Sequence, residues 1–278
     1  MARVEVKGPN SRRVVELRRL IGRVGANSAE IVLEGERTVG EALDAGLRLI
    51  TVIVPESSVI VPESSVISPK STGDEFAGST LRRLDDAVEI LVLRDRAFER
   101  LAPSVTPQPM LAVALRPQAR VPAFLDENDF AIVLVGVADP GNVGTLIRVA
   151  DATGAACVVV VGGADPWRPK AVRSSAGSVL RVPVVRGSDV QTSLSQLRAA
   201  GAKIVATDVR EGIPHHSGVL NGPLAIVLGS ESHGLDRAVD SLVDVWVRID
   251  MVGNAESLNV AMAGALLAYE ASRSASSG

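Results

Sequence analysis

From Asp129 to the C-terminus, short apolar runs alternate with helix-patterned stretches, and that alternation restricts the fold more than any other feature of the chain. The strand-like runs are Phe130 to Val137, Cys157 to Val161, Val182 to Val185, Lys203 to Thr207, Leu224 to Leu228 and Val245 to Ile249. Helical stretches lie between most of them, which predicts an α/β domain with a mostly parallel sheet covered on both faces. Ligands of such sheets collect at the carboxyl ends of the strands. Three polar, glycine-bearing loops stand at those ends.

The first is ADPGNVGTLIRVADATGA, Ala138 to Ala155. Pro140-Gly141 makes a turn, and Asn142 is placed to cap the helix that follows. Gly144 and Arg148 are four apart on that helix, so a ligand or backbone could approach at Gly144 while Arg148 reaches over it. The second, LGSESHGL from Leu228 to Leu235, runs from a strand straight into Gly-Ser-Glu. The third, IDMVGNAESLNV from Ile249 to Val260, puts Ser257, Leu258 and Asn259 where a long apolar-periodic helix begins. Serine and asparagine suit a first helical turn, whose orphan N–H groups favour anions or electron-rich ligand atoms. Leu258, Met262, Leu266 and Tyr269 recur near helical spacing and predict a buried helix. Each loop alone is equally well an ordinary capped turn, so only their combination argues for a site.

The first third reads as a smaller α/β unit. A helix near Arg12 to Ile21 precedes a strand at Ile31 to Leu33, a helix face of Val39, Ala42 and Leu43, and strands at Leu49 to Val54, Glu89 to Leu93 and Met110 to Leu115, with a helix from Asp95 to Leu101. The expected domains are residues 1–116 and 129–278, with 117–128 as a linker. The heptad VPESSVI, Val54 to Ile60, is repeated unchanged as Val61 to Ile67. It is too short for a solenoid and reads as a tolerated surface-loop duplication. The N-terminus is basic, with Arg3, Lys7, Arg12, Arg13, Arg18, Arg19 and Arg23 against Glu5 and Glu16, in a chain of net charge −3. Such a cluster is either a solvated helix face or a contact for phosphates.

Several function classes are disfavoured. No apolar run approaches a membrane span and no charged-then-apolar leader opens the chain, so a cytoplasmic protein with no membrane partner is expected. The lone Cys157 sits in an apolar run and reads as a core filler. With one cysteine and three histidines, a disulfide or cysteine-ligated zinc is excluded and no metal is expected. No two glycines are separated by a single residue, so G-x-G-x-x-G is absent, and neither G-x-x-x-x-G-K nor G-x-S-x-G occurs.

NVGTLIR (Asn142 to Arg148), IVLGSESHGL (Ile226 to Leu235) and IDMVGNAESLNVAMA (Ile249 to Ala263) together resemble, in order and spacing, the three motifs of the SpoU, or TrmH-like, RNA 2′-O-ribose methyltransferases. PKAVRSSAGSVLRVPVV, Pro169 to Val185, resembles the segment between them, and LEGERTVGEALDAG resembles the RNA-binding N-terminal domain of the ribosomal-RNA branch, including thiostrepton-resistance-like members. The resemblance implies a C-terminal α/β trefoil-knot (SPOUT) methyltransferase domain behind a smaller N-terminal α/β RNA-binding domain. It implies S-adenosylmethionine held around Thr207, Gly229, Ile249 and Leu258, with catalysis by Asn142, Arg148, Glu231, Ser257 and Asn259. It further implies a homodimer in which Arg148 or its neighbours serve the partner's site. The expected substrate is 23S ribosomal RNA; tRNA, or a non-catalytic RNA-binding role in ribosome assembly, are the alternatives.

A guanidinium with a pKa above ~12 is a reluctant base, so Arg148 is expected to grip a phosphate and steady the forming alkoxide rather than take the proton itself. Two departures from the family bear on RNA choice: Gln108-Pro109-Met110 in place of a glycine-rich approach to a strand, and the duplicated heptad. Arg168, Lys170, Arg173, Arg181 and Arg186 join the basic N-terminus as a candidate phosphate track. With aromatics at 3%, base stacking is not expected to be the main grip.

Overall fold

The structure, a computed structural model, describes residues 4–7, 11–23, 28–60, 68–69, 77–230 and 234–275. Arg3, Glu231, His233 and the second copy of the heptad at 61–67 lie outside the described residues. The chain divides into two compact units, Met1–Pro117 with Trp167–Pro169, and Gln118–Pro166 with Lys170–Gly278.

The first unit runs β1 (Val4–Lys7), α1 (Arg12–Arg23), β2 (Glu30–Glu34), α2 (Glu36–Asp44), β3 (Leu49–Pro55), β4 (Val59–Ile60), β5 (Ser68–Pro69), α3 (Ala77–Arg82), β6 (Glu89–Leu93), α4 (Asp95–Glu99) and β7 (Leu111–Leu115). Its main sheet has the order β1-β6-β3-β7-β2, with β7 antiparallel to both neighbours. Val14 and Leu17 of α1 pack with Ile53, Leu91, Leu93, Leu111 and Val113 on one face of this sheet. Full burial of one such leucine stabilises by roughly 1.5–3 kcal/mol. That anchorage leaves Arg12, Arg18 and Arg19 exposed. Arg13 instead donates to Glu89 and Thr51 at 2.6 and 3.0 Å, so it is committed to holding α1 on the sheet.

The second unit contains β8 (Phe130–Val135), α5 (Pro140–Thr153), β9 (Cys157–Val161), α6 (Pro169–Ser174), β10 (Val184–Gly187), α7 (Val190–Ala199), β11 (Lys203–Thr207), β12 (Ile213–Pro214), β13 (Leu224–Leu228), β14 (Val245–Arg248) and α8 (Val260–Ala275). Its strands pair in the order β10-β9-β8-β13-β11-β14-β12, every pair parallel. β9 and β13 are buried along their whole length, as a sheet covered on both faces requires. One face packs Ala131, Val133, Val159, Ile204 and Val227 against Leu194 and Leu197 of α7. α8 lies against α5 and β13. A side chain at Gly264 would collide with Leu146 of α5 and Leu228 of β13, which would have to shift, so glycine favours that approach. After β14, beyond β11 in the sheet, the chain therefore returns over strands already laid down, the kind of crossing that ordinary connections avoid.

Some expectations are corrected. The predicted strand from Val182 begins at Val184, because Val182 closes a turn onto the Ser178 carbonyl and Pro183 has no N–H to donate to a ladder. The strand from Phe130 ends at Val135, where Gly136 takes φ +69° and turns the chain. Within residues 117–128, Leu125 is 1% exposed, donates its N–H to the Ala200 carbonyl at 2.9 Å, and belongs to the core of the second unit. The apolar stripe of the last helix does not face the core: Met262, Leu266 and Tyr269 are 64%, 46% and 61% exposed. Val260, Ala261, Leu267, Ala268 and Ala271 are buried instead. Gly264 and the small Ala261, Ala268 and Ala271, with Leu267, form the packed side, Gly264 sitting where α8 meets Leu146 and Leu228.

Candidate active site

β13, β11 and β14 are consecutive parallel neighbours, with Ala206 opposite Val227 and Thr207 opposite Val247. Thr207, Gly229 and Ile249 therefore stand together at three adjacent carboxyl ends, spaced by ~4.8 Å per strand. Thr207 Oγ1 donates to the Val227 carbonyl at 3.2 Å, tying two of these ends. β13 turns sharply after Leu228: Ser230 and Gly234 exchange both backbone hydrogen bonds, at 3.0 and 2.9 Å. On the other side of β13 is β8, and Ser230 Cβ lies 3.6 Å from where a side chain at Gly136 would begin. The second loop thus abuts the chain entering α5.

The start of α5 differs from the expected one. Its N-cap is Asp139, whose carboxylate accepts from the Gly141 N–H at 3.2 Å, with Pro140 in the first helical position. Lys170 Nζ holds the same carboxylate at 2.6 Å. That lysine bond, followed by the Gly141 N–H, keeps the Asp139 carboxyl below its ordinary range. Capping by Asp139 releases the Asn142 side chain, and Asn142 Oδ1 accepts from Asn259 Nδ2 at 3.2 Å. Asn259 also caps α8, its Oδ1 accepting from the Ala261 N–H at 2.8 Å. Two residues 117 apart in sequence are joined here, and the first and third loops meet at the tips of two packed helices. Asp139 was missed in the sequence, although an acidic residue directly before a proline is a recognised helix-start signal.

The remaining site residues divide. Ser257 and Leu258 precede α8 in an exposed loop, Leu258 being 38% exposed. Val252 in the same loop is fully exposed. Gly144 does not leave space for a ligand: a side chain there would collide with the Ala171 carbonyl and Ser174, so its role is the approach of α6. Arg148 is exposed and makes no hydrogen bond or ion pair among the described residues. It lies six residues beyond Asn142, hence ~9 Å along the helix and about 120° around it. No hydrogen bond joins Arg148 to the Asn142–Asn259 pair of its own chain among the described residues.

Part of the candidate phosphate track is committed elsewhere. Lys170 pairs with Asp139, Arg181 pairs with Asp151 at 2.7 Å, and Arg186 donates to the Gly162 carbonyl at 3.1 Å. Burial pushes the Cys157 thiol up to about 12, which leaves it protonated and inert in the core. Among the described residues no group of three His, Cys, Asp or Glu could hold a metal ion, and no helix is long and apolar enough to cross a membrane.

Comparison with known proteins gives this geometry a context. A family model described as the SpoU rRNA Methylase family matches residues 129–269. The chain is 34% identical over 187 residues to the Bacillus subtilis 23S rRNA (guanosine(2553)-2′-O)-methyltransferase RlmP, covering 67% of this chain and 73% of that one. It is 36% identical over 197 residues to the 23S rRNA (uridine(2479)-2′-O)-methyltransferase of Streptomyces viridochromogenes, covering 68% and 69%. The crystal structure of the SpoU methyltransferase AviRb from Streptomyces viridochromogenes, in complex with the cofactor AdoMet, matches with a TM-score of 0.81 at 28% identity, over 97% of this chain and 100% of that one. By the stretch matched, by identity to its relatives and by fold, the chain belongs to the SpoU rRNA methylase family, with the α/β trefoil-knot (SPOUT) methyltransferase fold in its second unit.

Proposed function

We propose that this protein transfers a methyl group from S-adenosylmethionine to a ribose 2′-hydroxyl of 23S ribosomal RNA, in the cytoplasm, as a homodimer without a metal. The observation that carries the reading is the Asn259–Asn142 hydrogen bond, which closes the first and third loops beside the strand ends bearing Thr207, Gly229 and Ile249. Those ends offer backbone amides and carbonyls, and the flanking loops expose the apolar Val252 and Leu258. A donor set that is neutral, part polar and part apolar suits an adenosine joined to an amino acid. Thr207, Gly229, Ile249 and Leu258 would hold that cofactor, which supplies an activated methyl on a sulfonium.

The chain's own residues then have the ribose to handle. A protonated 2′-hydroxyl is a poor nucleophile, so it must be aligned and helped to lose its proton. Asn142, Ser257 and Asn259, with Glu231, would orient the sugar by hydrogen bonds. Arg148 would grip an RNA phosphate and stabilise the forming alkoxide, the proton leaving through phosphate or water. Because Arg148 stands away from the asparagine pair of its own chain, it would serve the site of a second copy. The exposed stripe of Met262, Leu266 and Tyr269 on α8 supplies an apolar face for that copy.

Incubation with tritiated S-adenosylmethionine and either purified 23S ribosomal RNA or tRNA tests the reading. Label is expected in a ribose of 23S ribosomal RNA; transfer to tRNA alone, or to neither, would contradict it.

A further inference from the structure

The segment leaving β11 does not wander over the surface. Asp208 Oδ1 accepts from the Arg210 and Glu211 N–H groups at 2.7 and 2.9 Å, closing a tight turn. Gly212 follows at φ +108°, where a side chain would collide with the Trp246 backbone and lie 2.9 Å from the Val247 nitrogen. Only glycine can lie this flat against β14. Ile213 and Pro214 then pair with Val247 and Arg248, and His215 N–H donates to the Arg248 carbonyl at 3.0 Å. This edge strand is two residues long and one of them, Pro214, has no N–H, so backbone pairing alone holds it weakly.

The Arg248 side chain adds the missing hold. Its Nη1 donates to the Gly212 carbonyl, and its Nε donates to Asp250 Oδ1 at 2.9 Å. One guanidinium therefore joins the loop that follows Thr207 to the first residue of the loop that follows Ile249. A fork of rigid planar donors can serve two acceptors at once in fixed directions, which a lysine cannot. The Arg248 and Asp250 side chains are 34% and 43% exposed, so the pair adds little to global stability and acts mainly on local geometry.

We infer that Arg248 and Asp250 form a strap that sets the separation of the two loops flanking the methyl-donor cleft, making both positioning residues for donor binding. The inference rests on the placement of the donor at Thr207, Gly229 and Ile249 proposed above. Neither residue is assigned to the RNA or to the transferred proton, so the strap should govern the donor's affinity and leave the chemical step alone.

The experiment measures S-adenosylmethionine binding by calorimetry and steady-state methyl transfer for wild type, Asp250→Ala, Arg248→Met and the double variant. Loss of the charge-assisted Arg248–Asp250 bond, common to all three variants, predicts a rise of about tenfold or more in donor Kd and KM for each. The double variant should be no weaker than the Arg248→Met single, because both substitutions break one device. kcat at saturating donor, KM for RNA and Tm should stay within about twofold or a few degrees of wild type. Unchanged donor affinity in Asp250→Ala, additive losses in the double variant, or a kcat loss without a KM change would overturn the strap. Should Arg248→Met fail to fold, Arg248→Lys, which keeps the charge and loses the fork, replaces it with the same expected rise. Wild type that binds no donor at all would instead overturn the cofactor assignment beneath it.

Discussion

Asn259 holds two partners at once, and they can be separated by substitution. Asn259→Ala removes the cap of α8, which costs about 1 kcal/mol and lowers Tm by a few degrees, and also removes the link to Asn142. Asn259→Ser keeps a capping oxygen without reaching Asn142. Thermal melts should therefore show Asn259→Ser close to wild type while methyl transfer stays at least tenfold low in both variants; recovery of transfer together with stability would reduce Asn259 to a cap. Asp139 offers a second test. Its folded pKa is lowered, by Lys170 first and the Gly141 N–H second, so its contribution is complete above the unfolded value near ~3.9 and is lost as pH falls through the lower folded value. Stability measured from pH 5 down to pH 2 should fall less steeply in Asp139→Asn than in wild type; identical slopes would contradict this. At this scale the sequence was partly legible. Asn142 and Asn259 stood out as polar residues at helix starts, but that Asp139 takes the cap and frees Asn142 to bond Asn259 depends on a contact made by folding.

At the level of elements, runs such as Cys157 to Val161 and Leu224 to Leu228 were readable because burial on both faces demands uninterrupted apolar sequence. β12 was not, since two residues held by a neighbouring arginine carry no pattern of their own. α8 shows the deeper difficulty. Periodicity finds an apolar stripe but does not say what covers it, and here Met262, Leu266 and Tyr269 face outward while Leu267, Ala268, Ala271 and Gly264 face the crossing. If a second copy covers that stripe, Met262→Glu and Leu266→Glu should give a monomer in light scattering and abolish methyl transfer. Because both side chains are exposed in one chain, their melts should stay within a few degrees of a destabilised but folded protomer. A wild type that is monomeric at assay concentration would remove the basis for a shared site.

For the whole molecule, the order of strands along the sheet and the return of α8 over α5 arise from pairings between residues far apart in sequence, which no local pattern encodes. Only the knotted fold became an expectation, through the three motifs, whose order and spacing pointed to a family; the strand order did not. The motifs bear on the chemistry; a choice of RNA would rest on other surfaces, for which the exposed Arg12, Arg18 and Arg19 of the first unit are candidates. Methyl transfer would then take place at a site that two chains build together. It is tested by mixing two inactive proteins, Arg148→Ala and Asn259→Ala, allowing subunits to exchange, and measuring tritium transfer from S-adenosylmethionine to 23S ribosomal RNA. Half of the randomly exchanged dimers would be mixed, each with one of two sites intact, so about a quarter of wild-type activity should return. A mixture no more active than its two components would contradict the account.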